Sequence, residues 1–91
     1  MRTQWDEAKR QRVLTERDID LTRLNDLLYK PYIEDQRFEQ PEQYRIVGFA
    51  GGTLTTFIVE YRVDEVGDYI WVVTAWKSTK QERKSYEETV N

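Results

Sequence analysis

The 91 residues contain no cysteine and no histidine. Disulfides, thiolate nucleophiles, most zinc sites and imidazole acid–base chemistry are thereby excluded. Any reaction would have to use lysine, arginine, tyrosine or carboxylate side chains. No apolar run approaches the length of a membrane span or a signal-peptide core, so the chain reads as soluble and cytoplasmic, without membrane partners. Absent cysteine is compatible with a reducing compartment. Proline and glycine are scarce, at two and four residues, and several of them mark element boundaries. A net charge of -3 argues against uniform attraction to nucleic acid.

What is present is aromatic mass and a charge partition. Three Trp, six Tyr and three Phe must supply much of a small core, because a domain this short buries only about 60% of its unfolded surface. One domain, residues 1–91, is expected. The middle is acidic: Asp26, Glu34, Asp35, Glu39, Glu42, Glu60, Asp64, Glu65 and Asp68 outnumber Lys30, Arg37, Arg45 and Arg62. Within residues 76–84 Lys77, Lys80, Arg83 and Lys84 are opposed by Glu82 alone, which predicts a compact basic patch.

Periodicity gives the layout. Met1 to Gln4 reads as a short lead-in, and Asp6 as the N-cap of a helix to about Arg17, anchored by Trp5, Ala8, Val13 and Leu14. Lys9, Arg10, Arg12 and Arg17 are expected on its solvated face. Asp18-Ile19-Asp20 breaks that helix and caps a second, about Leu21 to Tyr29, whose Leu21, Leu24, Leu27 and Leu28 form one stripe. Pro31 ends it. Tyr32-Ile33-Glu34 predicts a short edge strand and Asp35 to Gln43 a polar loop. Tyr44–Ala50, Thr53–Val63 and Tyr69–Trp76 predict an antiparallel meander, turned by Gly51-Gly52 and by the acidic loop Asp64–Asp68. Alternation sets Thr55, Phe57, Val59, Tyr61 and Val63 on one face of the long strand and Leu54, Thr56, Ile58, Glu60 and Arg62 on the other. Thr79 followed by Glu82 is a capping box that starts a last helix near Lys80. The expected fold is α+β, with three to four antiparallel strands, two N-terminal helices and one C-terminal helix.

Several of these stretches resemble one family. Trp5-Asp6-Glu7-Ala8-Lys9, Ile19-Asp20-Leu21, Gly48 with Gly51-Gly52, and Thr74-Ala75-Trp76-Lys77-Ser78-Thr79-Lys80-Gln81-Glu82-Arg83-Lys84-Ser85-Tyr86-Glu87 look like the BrnT toxins, which open W-D-x-x-K and close I-S-A-R-K-A-T-x-x-E-R-x-x-Y-E. The resemblance implies a RelE-like fold and a ribonuclease toxin of a type II toxin–antitoxin pair. Its implied partners are an antitoxin, of ribbon–helix–helix type, and RNA. No metal or cofactor is implied. Carried onto this chain, the candidate catalytic residues are Lys77, Arg83, Arg45 and Tyr86. Trp76, Lys80, Lys84, Arg62 and Glu60 are candidates for binding RNA or a partner. Trp76 and Gln43 stand where the family pattern has arginines, and Glu16-Arg17-Asp18 replaces its K-H-G.

Two functions therefore remain open. One is an RNA-cutting toxin relying on Arg and Lys to stabilise the phosphate, with proton transfer by Lys, Tyr or a carboxylate. The other is a catalytically degenerate RelE-like protein that binds a protein or nucleic acid. Trp76 serves as a base-stacking platform in the first case and as filling between sheet and last helix in the second.

Overall fold

A computed structural model describes residues 2–90. The order is β1 (Arg2–Trp5), α1 (Glu7–Arg17), a 3₁₀ turn (Leu21–Arg23), α2 (Leu24–Leu27), β2 (Tyr32–Glu39), β3 (Glu42–Ala50), β4 (Thr53–Asp64), β5 (Gly67–Lys77) and α3 (Lys80–Val90). The five strands form one sheet in the order β1-β5-β4-β3-β2. The class is α+β, as the periodicity predicted, with one difference of kind. The sheet is mixed, because β1 runs parallel to β5.

That first strand corrects the reading of the N-terminus as a lead-in; Met1 itself lies outside the described residues. Arg2 to Trp5 pair with Tyr69 to Val72. A four-residue strand has too little pattern to be recognised alone, and a distant partner defines it. Arg2 fastens it with two donors to the Asp64 carboxylate at 2.7 and 3.1 Å. That contact, with the Val66 and Gly67 amides, holds the Asp64 carboxyl at about 2.

The expected polar loop at Asp35–Gln43 is also mostly strand. β2 continues to Glu39, Gln40-Pro41 makes the turn through a cis peptide, and β3 begins at Glu42. Charged side chains hid this strand, because it is an exposed edge where polar residues suit both faces. A bulge at Arg37, between the pairs Gln36↔Tyr44 and Phe38↔Gln43, further breaks its alternation. The second helix is shorter than expected, a 3₁₀ turn followed by a single α-turn. Its leucine stripe nonetheless works, since Leu21, Leu24 and Leu27 are fully buried.

The caps form where the sequence put them. Asp6 accepts from the Lys9 amide, and Asp20 from the Thr22 amide. Asp18 adopts φ 58° at the end of α1, and Gly51 and Gly52 take φ 61° and 83° in the hairpin turn. Arg10 and Arg17, expected in solvent, are engaged: Arg10 pairs with Glu7 and Asp20. Arg17 donates to the Ala75 carbonyl at 2.9 Å, where β5 has run past the end of β1.

Both faces of the sheet are covered. Phe57, Val59, Ile46, Val72 and Ala75 pack under Val13 of α1 and the leucines of the second helical segment. On the opposite face Val47 and Leu54 pack under Tyr86, with Ile33 and Val90 beside them. Leu54 to Val59 are consequently all buried, each large apolar one contributing about 1.5–3 kcal/mol. Alternation assigned the two faces correctly but did not show that α3 lies opposite α1. Beyond Val59, Glu60 to Asp64 emerge from between the helices.

Gly48 leaves room for the second helical segment to pack closely on β3. A Cβ there would meet Leu27 Cγ at 3.0 Å and Tyr32 Cβ at 3.1 Å. Gly48→Ala should therefore destabilise by about 1–3 kcal/mol in urea unfolding, whereas Val66→Ala, at an 80% exposed position, should stay within about 0.5 kcal/mol. Equal midpoints for the two variants would show that this contact is loose.

Candidate functional site

The half of the α3-bearing face that α3 leaves open carries most of the polar side chains of interest. Gln43 and Arg45 come from β3, Glu60 and Arg62 from β4, and Trp71 and Trp76 from β5, on one side by alternation and register. Arg37 is added from the β2 bulge, its guanidinium carbon 5.3 Å from the Trp76 ring centroid.

At the boundary with α3 sits Glu82, only 8% exposed. It is the carboxylate of the expected capping box: the Thr79 amide donates to it at 2.8 Å, and its own amide donates to the Thr79 hydroxyl at 3.2 Å. The sheet completes its shell. The Thr56 hydroxyl donates at 2.9 Å and the Trp76 indole N–H at 3.1 Å, while Arg45 Nη1 lies 3.7 Å away. Burial pushes the Glu82 carboxyl up, but these donors outweigh it and leave the group below its ordinary value.

The cations are similarly committed. Arg45 donates to both Asp35 oxygens, at 3.0 and 2.8 Å, and lines a cleft of 440 Å³ between β2, β3 and α3 with Asp35 and Glu82. Arg62 donates to Glu60 at 2.6 Å and lies over Trp71, 4.6 Å from its centroid. Glu60 also accepts from Gln43 at 2.8 Å. Burial raises the Glu60 carboxyl, and Gln43 and Arg62 draw it below the ordinary value.

The sequence-derived candidates thus divide. Arg45, Glu60, Arg62 and Trp76 share this face. Lys80, Arg83 and Lys84 are exposed on α3, with Lys84 3.9 Å from Glu88. Lys77 is elsewhere: it pairs with Thr55 and lines a separate 380 Å³ depression with Asp18, Asp20 and Arg23 on the α1 side of the sheet. The compact basic patch expected around Lys77 is therefore split by the sheet. Tyr86 is buried, packs edge-on against Phe49 and donates to the Pro31 carbonyl at 3.3 Å. It anchors α3. The Trp76 indole fills the junction between sheet and α3, and Arg37 covers its ring.

Residues not singled out from the sequence are Asp35, Arg37 and Trp71. The first two fell in the supposed loop, so no facing partner was visible. Trp71 had a signal, since it lies on the Glu60 side of β5, but the β5 bulge opposite Ile58 and Val59 obscured that register. Among the described residues no group of three or more carboxylates is placed to hold a metal ion, and no helix is long and apolar enough to span a membrane. No protein-family model matches the chain, and no curated protein matches it.

The Glu82 network generates a pH prediction. Its folded-state pKa is depressed, so its stabilisation is complete above the ordinary glutamate value of about 4.3 and is lost as pH falls through the folded value. Glu82→Gln should cost about 1–3 kcal/mol at pH 7, and this deficit should shrink as pH is lowered below about 4. A deficit independent of pH in paired urea titrations would place the effect in packing and not in charge.

Proposed function

We propose that this chain is a non-catalytic binding protein with a RelE-like, BrnT-type fold, engaging a protein partner of the antitoxin kind through the open half of the α3-bearing sheet face. One observation carries the reading: the arginines that would have to clamp a phosphate are already clamped by carboxylates. Arg45 holds Asp35 through two bonds and has Glu82 beside it; Arg62 holds Glu60. An RNA phosphate would have to displace these ion pairs before gaining contact with Arg45 or Arg62, and the carboxylates released would repel it.

The proton-transfer side supports the same conclusion. General acid–base catalysis near neutrality favours groups tuned toward the working pH. Glu60 and Glu82 are shifted the other way, and the Tyr86 hydroxyl is buried against a backbone carbonyl. Lys77 lies across the sheet from Arg45. Loss of one preorganised charged donor costs about 2.7–4 kcal/mol of transition-state stabilisation. Here the pattern's arginines at Gln43 and Trp76 are replaced, and Arg45 and Arg62 are paired with carboxylates, while Arg83 stands apart from them, exposed on α3.

Purified protein incubated with bulk RNA at neutral pH and low salt should give no cleavage above a Lys77→Ala, Arg83→Ala control. Its induction in a bacterial host should leave growth unchanged, and it should form a stable complex with the product of an adjacent small reading frame. Catalytic turnover, or growth arrest relieved by those substitutions, would replace this proposal with the ribonuclease-toxin reading.

A further inference from the structure

On the other face of the same strands the charges are not cancelled. Gly48 and Ile46 of β3 look toward the second helical segment and the core under it, so by alternation Tyr44 and Glu42 lie on that side as well. Register adds Tyr32, Glu34 and Glu39 from β2, which pair with Gly48, Ile46 and Glu42. Tyr61 and Val63 follow Phe57 and Val59 out of the core along β4. The helices do not cover this end, where Tyr61 is 44% and Val63 74% exposed.

Two tyrosines are held in place there. The rings of Tyr44 and Tyr61 lie 5.2 Å apart, tilted by 58°. Each hydroxyl donates to a carboxylate at 2.7 Å, Tyr44 to Glu42 and Tyr61 to Glu34. Glu42 pushes the Tyr44 phenol up, and burial together with Glu34 does the same for Tyr61, so both remain protonated donors. A phenol that donates to a carboxylate gains electron density in its ring, and the face of such a ring attracts cations. Yet among the described residues no arginine or lysine lies over Tyr32, Tyr44 or Tyr61. Nor does one pair with Glu34, Glu39 or Glu42. Glu39 instead faces Glu42 across the last rung of β2 and β3, a like-charge placement that destabilises a strand pair. Across the sheet, by contrast, Asp35, Glu60 and Glu82 each have an arginine.

We propose that this tyrosine and glutamate surface docks an arginine-containing basic segment of a protein partner, one guanidinium stacking on the exposed ring of Tyr61 and its neighbours donating to Glu34, Glu39 and Glu42. Charge complementarity selects the occupant, because carboxylates without a counter-ion attract a cationic chain and repel a nucleic-acid backbone. The rings then choose among cations. A guanidinium is planar and weakly hydrated, so it stacks on an aromatic face while its in-plane N–H groups remain free to donate, which a compact ammonium cannot do. Glu34 and Glu42 each spend only part of their acceptor capacity on a tyrosine hydroxyl. This inference goes beyond the binding reading above: the surface lies across the sheet from the face assigned there, and its loss leaves that reading standing.

The test uses the full chain labelled with ¹⁵N, titrated with the capped pentapeptide Gly-Arg-Gly-Arg-Gly and with versions carrying citrulline or lysine at both arginine positions. Amide signals of residues 32–36 and 61–63 should move together. The arginine peptide should bind about ten-fold more tightly than its neutral citrulline isostere and about three-fold more tightly than the lysine peptide. Glu34→Gln with Glu42→Gln should remove most of this binding. Glu16→Gln with Asp18→Asn takes the same charge from α1 and its C-terminal end, and should change affinity by less than about two-fold. Tyr61→Leu should erase the preference for arginine over lysine and Tyr61→Phe should keep it, with each fold checked by circular dichroism. Equal binding of the arginine and citrulline peptides, equal losses in the two paired-charge variants, an arginine preference that survives Tyr61→Leu, or no response to any peptide would overturn the proposal.

Discussion

A carboxylate taken out of water must recover its hydration from the protein, and Glu82 does so from three elements at once. The Thr79 amide caps α3, the Thr56 hydroxyl comes from β4 and the Trp76 indole from β5, with Arg45 of β3 alongside. Because each donor belongs to a different segment, the charge is satisfied only when α3 lies across the sheet at this angle. The apolar contacts of Tyr86 and Val90 with Val47, Leu54 and Ile33 then bury the remainder of the helix. Trp76, fixed by its bond to Glu82, becomes the wall on which Arg37 rests. The local capping geometry of one helix thereby propagates to the most exposed strand.

Placing helices on both faces has a second consequence. A sheet covered on both sides exposes side chains chiefly where the helices stop, at the β4 residues beyond Val59 and along β2. The open surface is consequently polar, yet its charges are largely cancelled in place by Asp35 with Arg45 and Glu60 with Arg62. Such pairs at partly exposed positions add little stability. What they change is chemistry: a face with the residue types of a phosphate-binding site presents almost no uncompensated positive charge.

How much of this was legible varied with the range of the interaction. The capping box at Thr79 and Glu82, the Asp6 and Asp20 caps, the Gly51-Gly52 turn and the leucine stripe depend on neighbours within a few residues, and each formed as expected. β1 and most of β2 were missed because nothing local defines them: one is four residues long, and the other is a charged edge with a bulge. The site suffered from the same cause. Reading Asp35 to Gln43 as loop removed Arg37 from consideration and concealed the residue that neutralises Arg45.

The sequence by itself determined the α+β class, most helix and strand positions, the two faces of β4 and the absence of imidazole and thiol chemistry, since composition and short-range periodicity carry those properties. Only the tertiary structure decided that β1 closes the sheet in parallel and that α3 lies opposite α1. It also separated Lys77 from Arg45 and gave Arg45 and Arg62, two of the three arginines of the open face, a carboxylate. Those outcomes follow from pairings between residues far apart in the chain, where charge and burial are set by what arrives across the sheet.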